Sequence, residues 1–289
     1  MFVAYGQFLD HDITLNNEAL APEIPIEVPA GDPFLDPFNT GRKKIPFRRS
    51  IATRSRRRRN EPRQQINFLS GWVDGSQVYG SNQTTSDAIR EFRGGRLRTS
   101  GDELLSRDPR TGRFIAGERR VNENIGLTSL QTVFNREHNR IADIVANLDP
   151  TLSDQEIFTI ARVINISLMA KVTFRDWVPL LIGPQLTQAN FPPTRCFNPA
   201  IDATIPNEFA AAAFRIGHPI LVSEYPQVNQ NNQVVQILQL RQMFEASELM
   251  SNERINVMLR GMTRIGSKEK SAQVIDDIRN FLVLDPENR

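Results

Sequence analysis

With 289 residues, 39% of them apolar and 24% charged, the chain can bury a sizeable core and has the composition of an ordinary soluble globular protein. No run of eighteen apolar residues argues for a membrane span, and the single cysteine, Cys196, excludes an intramolecular disulfide. The net charge is only +2, yet the ten basic residues between Arg42 and Arg59 meet no acidic one.

The stretch Gly6-Gln7-Phe8-Leu9-Asp10-His11-Asp12-Ile13 reads as a helix at about 100° per residue. Phe2, Tyr5, Leu9 and Ile13 then form an apolar side. Gln7 and His11, four apart, point the opposite way with Asp10 beside them, and Asp12 must address a different neighbour. Such a polar set is costly to bury without purpose, although a surface helix with one wet face fits the stretch equally well taken alone. Met1 opens directly onto this segment with no visible signal peptide. The expectation is a chain that begins late, a fragment or a truncated gene model.

Prolines 22, 25, 29, 33, 37 and 46 make Asn16–Phe47 an extended excursion rather than a helix or central strand. Together with the basic run it forms a surface excursion over residues 16–66. The run favours a solvated loop, with polyanion contact through Arg42–Arg59 as the alternative. Aromatic residues do not interleave with the arginines, so no nucleic-acid partner is expected. Asn67–Gly80 forms a compact loop whose Ser70, Asp74 and Ser76 place hydroxyl, carboxylate and backbone oxygens at alternating positions, as Ca²⁺ requires. That shell needs a carboxylate from another segment, and an ion-free turn is the simpler alternative.

Apolar positions 127, 130, 134, 141, 145 and 148 mark an amphipathic helix, with His138 on the buried stripe as a hydrogen-bonded core residue. Just upstream, Arg120 and Glu123 are three apart and could face one way; taken alone they are a surface ion pair. Ser153-x-x-Glu156 is a capping box opening an apolar helix from Ile157 towards Val172. Glu208–His218 reads as an alanine-rich helix with Phe214, Arg215 and His218 on one face, His218 serving as a metal ligand or a core residue. Pro219 biases His218 away from helical geometry. Further helices are expected from about Ser251 and around 272–284. With no strand-rich region and no internal repeat, the reading is mainly α, one domain over 1–289.

Four separated segments, GQFLDHDITL, SGWVDGSQVYGS, RVNENIGLTSL with REHNRIA, and FRIGHPIL, occur in one order and together resemble the animal-type haem peroxidases. The resemblance implies a helical domain around a buried haem b, here incomplete at both ends. It implies His11, Gln7 and Arg120 as the distal catalytic residues, and His218 as the proximal iron ligand with Arg215 at the cofactor. Asp10 and Glu123 match the carboxylates esterified to haem methyl groups. Asp12, Ser70, the Trp72 carbonyl, Asp74 and Ser76 match the Ca²⁺ site, which supplies the missing carboxylate. Hydrogen peroxide and a small donor (a halide or a phenol) are the implied substrates, and an extracellular setting the implied location. The alternatives are an inactive haem-, Ca²⁺- or polyanion-binding relative and, below it, a fatty-acid dioxygenase, which would need a tyrosine just before His218. Two departures stand out. Asn124 occupies a position where some members carry a haem-bonded methionine, and the asparagine that supports the proximal histidine lies in a segment beyond Arg289.

Overall fold

The computed structural model describes residues 1–53, 62–192, 198–269 and 273–279. It is mainly α and falls into two compact units. The first comprises Met1–Ile13, Leu69–Thr204 and Glu224–Ser267; the second comprises Thr14–Phe68, Ile205–Ser223 and Lys268–Arg289.

In the first unit, α1 (Phe2–Ile13) is followed by the short α2 (Ser76–Tyr79) and α3 (Gln83–Ile89) and packs with the long α4 (Ile125–Leu148). Phe8 of α1 stacks on Phe134 of α4 with ring centroids 4.9 Å apart. Asn124 starts α4, its side-chain oxygen accepting from Leu127 N at 2.9 Å. Helix α5 (Asp154–Lys171) begins at Ser153 with the expected capping box and lays Ile157, Phe158, Ala161, Asn165 and Met169 inward. It runs into a π-helical turn (Val172–Trp177) and then α6 (Val178–Ile182). The turn grips the start of α1. Tyr5 hydroxyl lies 3.0 Å from both the Met169 carbonyl and Thr173 Oγ1, and Trp177 Nε1 donates to the Phe2 carbonyl at 2.9 Å.

The continuous helical run Asp154–Ile182, 29 residues with a mean hydropathy of 1.5 over its most apolar window, is long and apolar enough by composition to cross a membrane. That departs from the expectation of no such segment. The sequence count broke the run at its polar residues, whereas the backbone carries one helix through them. Its inner residues nonetheless pack on α4 as a core face does.

A second departure is the hairpin of β5 (Glu224–Val228) and β6 (Val234–Gln239). Neither strand alternates apolar with polar residues, so no strand pattern is legible in the sequence. It packs on α9 (Asn252–Met262), which starts at Ser251 as expected, that side chain accepting from Arg254 N at 3.0 Å.

In the second unit the proline-rich excursion is extended, as expected, but is tied into two small antiparallel pairs. β1 (Glu18–Glu23) pairs with β4 (Arg48–Ser50), and β2 (Ile26–Glu27) with β3 (Lys44–Ile45). Buried Asp36 closes the intervening loop, accepting from Thr40 N and Oγ1 at 3.0 and 2.6 Å and from Gly41 N at 2.8 Å. The alanine-rich stretch is helical only as the short α8 (Asn207–Ala211). Ala213–Ile220 follows as a 3-10 helix that contains Pro219. The single long helix expected there breaks at Ala212, whose backbone leaves the helical region at φ −129° and ψ −65°, seven residues before the proline. Of the helix expected around 272–284, Asp276–Arg279 is helical. Residues 273–275 are not helical, and 272, 280–284, Cys196 and the Arg56–Arg59 run lie outside the described residues.

Candidate functional site

Three segments of the first unit bring the site together: the C-terminal half of α1, the 3-10 turn Arg119–Asn122, and the residues leading into α4. Of the expected apolar side of α1, Tyr5, Leu9 and Ile13 are buried and Phe2 is half-buried, while Phe8, off that side, is buried as well. Gln7 and His11 do share the opposite face, and His11 is buried against α4's leading segment at 2% exposure. The polar side of α1 is therefore not a wet surface.

Glu123 is the hub on one flank. Gln7 Nε2 donates to Glu123 Oε2 at 2.9 Å, and His11 Nε2 lies 3.5 Å from the same oxygen. Gln7 Oε1 accepts from Asn124 Nδ2 at 2.8 Å, so the residue that caps α4 also orients the glutamine. Burial raises the Glu123 carboxyl above the usual range, with Arg120 pulling the other way. Arg120 and Glu123 do lie in one cluster, but the guanidinium turns elsewhere. Its Nη1 donates to Asp10 Oδ2 at 3.3 Å and its Nε to Glu118 Oε2 at 2.8 Å.

Glu118 escaped the sequence reading. It N-caps the 3-10 turn, accepting from Arg120 N at 3.1 Å, and its Oε2 stands 3.6 Å from His11 Nδ1. Burial raises its carboxyl, opposed chiefly by Arg120. The available signal was an acid two residues before a candidate arginine, a spacing at which one carboxylate can meet both backbone and guanidinium.

Asp12 looks away from His11, as its helical angle required, into the Asn67–Gly80 loop. Its Oδ1 accepts from Ser76 N at 2.6 Å and Ser76 Oγ at 2.8 Å, and its Oδ2 from Gly75 N at 3.1 Å. Ser76 N also donates to Asp74 Oδ1 at 3.1 Å, while Ser70 Oγ donates to Asp74 Oδ2 at 2.7 Å and lies 3.4 Å from the Trp72 carbonyl. Two carboxylates, two hydroxyls and a carbonyl thus gather at one place. Burial, followed by repulsion from Asp74, pushes Asp12 up to about 7 against the pull of its Ser76 hydrogen bonds. That is chiefly the cost of burying a carboxylate, with Asp74 adding to it, and a bound cation would offset both. Among the described residues no group of three His, Cys, Asp or Glu side chains forms a metal centre, so hydroxyl and carbonyl oxygens must complete any shell here.

Gly117 fits the two clusters side by side. A Cβ there would collide with backbone atoms of Ser76, Val78 and Gly80. In the second unit His218 sits exposed on the 3-10 helix with Arg215, also exposed, three residues before it, in place of the buried helical face expected. Phe214 stacks on Phe209 at 4.9 Å. His138 is a core residue as expected. It is fully buried, with Nε2 2.8 Å from the Gly95 carbonyl and Nδ1 2.9 Å from Tyr79 hydroxyl, which also accepts from Asn165 Nδ2 at 2.8 Å.

The family model of the animal haem peroxidases matches residues 1–289. Mouse myeloperoxidase is 30% identical and mouse eosinophil peroxidase 31% identical, each over 98% of this chain and 45% of its own length. The chain thus spans about half the length of these curated relatives. Among solved structures, peroxidase A from Dictyostelium discoideum superposes with a TM-score of 0.88 at 26% identity, covering 99% of this chain and 59% of that one. A fatty acid alpha-dioxygenase from Oryza sativa, at 22% identity and a TM-score of 0.74 over 92% of this chain and 48% of its own, shares the fold. Matched along its whole length by one family model, the chain is a member of the animal haem peroxidase family.

Proposed function

We propose that this chain carries the distal half-site and the iron-binding histidine of a haem-dependent peroxidase. The observation that supports it most is the gathering of Gln7, His11 and Arg120 with Asp10 and Glu123 in one unit. The donor set suits haem: a buried imidazole, a guanidinium, a carboxamide, and two carboxylates available for ester links. His218, exposed on the second unit, is the residue to hold the iron, with Arg215 beside the cofactor. Haem, when bound, supplies the oxidising chemistry at iron.

The protein's share is proton handling and charge. His11 takes a proton from hydrogen peroxide at Nε2 and returns it to the departing oxygen, which leaves as water. Arg120 stabilises the negative charge that builds on that oxygen as the O–O bond breaks. Gln7, tied to Glu123 and Asn124, fixes the polar wall beside His11. Ca²⁺ is assigned to Asp12, Asp74, Ser70, Ser76 and the Trp72 carbonyl, where it anchors the residue next to His11. The donor is a small reductant such as a halide or a phenol, and an extracellular setting belongs to the same reading. Within the run that the polyanion alternative would use, Lys44 and Arg48 form exposed ion pairs with Glu27 and Glu23 at 2.6 and 2.5 Å, which a polyanion could displace.

The test is an absorption spectrum of the chain prepared with haem and Ca²⁺, beside His218→Ala. A Soret band that changes in the variant and responds to hydrogen peroxide is expected. Identical spectra for the two proteins would remove His218 from the iron. A ligated haem inert to peroxide would leave a binding relative in place of an enzyme.

A further inference from the structure

Glu118 does more than cap a turn. Capping needs one short side-chain oxygen on one backbone amide, for which Ser, Thr, Asp and Asn are the favoured residues. The longer glutamate reaches on from Arg120 N to Arg120 Nε at 2.8 Å and to within 3.6 Å of His11 Nδ1, using the same Oε2. Its side chain is 2% exposed, and its Oε1 is buried without a hydrogen-bond partner among the described residues. A carboxylate held so deep is costly, and Arg120 is the charge that opposes that cost.

Both nitrogens of His11 face a carboxylate, so the two must be weighed. The Glu123 side chain, at Nε2, is 39% exposed and its Oε2 also accepts from Gln7. Water screens an exposed charge far more than a buried one at the same distance. At nearly equal separations, 3.6 and 3.5 Å, the deeper burial of Glu118 favours its field at His11, while Arg120 Nε, 2.8 Å from the same oxygen, offsets part of it.

We propose that Glu118 is a positioning residue for the distal pair, holding the proton of neutral His11 on Nδ1 so that Nε2 is the open base, and fixing Arg120 beside it. This rests on the peroxidase reading of the same site. In hydrolytic triads a buried carboxylate sets the tautomer through a hydrogen bond to the far imidazole nitrogen; here, at 3.6 Å, Glu118 acts on Nδ1 by electrostatic attraction without a hydrogen bond.

The experiment has two arms. In the haem-free 289-residue chain, imidazole ¹⁵N shifts report which nitrogen of His11 carries the proton. The other histidines, His138 and His218, are assigned by His138→Gln and His218→Gln. Wild type is expected to show His11 protonated at Nδ1, and Glu118→Gln to lose that preference. In the haem-loaded chain, rapid mixing should show Glu118→Gln slowing the hydrogen peroxide step by about a hundredfold, the low end of what a placed acid–base group contributes. The donor-oxidation step should be unchanged. A wild-type His11 protonated at Nε2 overturns the proposal even if the variant fails to fold. So does a variant with an unaltered tautomer, or one that slows both steps alike. A Glu118-dependent tautomer in a chain whose bound haem ignores peroxide would instead reject the peroxidase reading and leave the placement of the proton intact.

Discussion

His11 and His138 show how position turns one residue type to two ends. His11 lies between two carboxylates and beside a guanidinium hub, a surrounding suited to moving a proton. Replacing it by alanine is expected to lower the rate of the peroxide reaction by about 10²–10⁴ while haem absorption persists, as read by rapid mixing. A full-speed His11→Ala would remove it from catalysis. His138 is locked neutral, since Gly95 O can only accept and Tyr79 hydroxyl must then donate to Nδ1. Burial lowers its pKa from 6.5 to about 4. The unfolded chain takes up this proton near 6.5 and the folded chain only near 4, so the stability is present above 6.5 and lost as pH falls through that window. The loss amounts to about 3 kcal/mol. Glu118 and Glu123, raised by burial, act in the opposite sense, so the test is the difference between wild type and His138→Gln in denaturant midpoint against pH. A flat difference between pH 6.5 and 4 would contradict it.

Local chemistry decides several of the elements by itself. The Ser153 box closes in both directions, Ser153 Oγ accepting from Glu156 N at 3.3 Å and Glu156 Oε2 accepting from Ser153 N at 2.8 Å. Ser153→Ala is expected to cost about 1 kcal/mol in chemical denaturation, with site spectra unchanged. Gly117 belongs to the opposite category. No local pattern demands a glycine there; the Ser76–Tyr79 turn (α2) presses against it. Gly117→Ala should cost about 1–3 kcal/mol by overpacking and should weaken Ca²⁺ binding and disturb His11 together, because Ser76 and Glu118 flank the collision. Loss of stability with both sites intact would show that the approach is only packing.

For the molecule as a unit of folding, the proposed Ca²⁺ would couple α1 to the Asn67–Gly80 loop, segments more than fifty residues apart in the chain that already meet through Asp12. Binding to the folded state alone should raise the melting temperature with Ca²⁺ concentration, worth about 2.7 kcal/mol at a hundred times the dissociation constant. Chelation should reverse the gain, and Asp12→Asn or Asp74→Asn should abolish it. A melting curve indifferent to Ca²⁺ would leave the loop as a turn held by its hydrogen bonds.

How much could be read without coordinates follows from which forces are local. Helical periodicity already separated the apolar face of α1 from Gln7 and His11 and aimed Asp12 elsewhere, since side-chain direction on a helix is set by spacing alone. The caps at Ser153 and Ser251 and the core stripe of α4 were legible for the same reason. Motif order likewise pointed to the family before any distance was known. What tertiary structure alone decided were the partnerships made across sequence. Arg120 turns to Asp10 and Glu118 rather than Glu123, Glu118 reaches His11 across more than a hundred residues, and Asn124 serves both α4 and Gln7. The break before His218 needed coordinates too, because it falls at Ala212, among alanines whose local preference is helical. Periodicity specifies the face on which a side chain stands; only the packing of distant segments, with the desolvation and charge it imposes, specifies what that side chain meets.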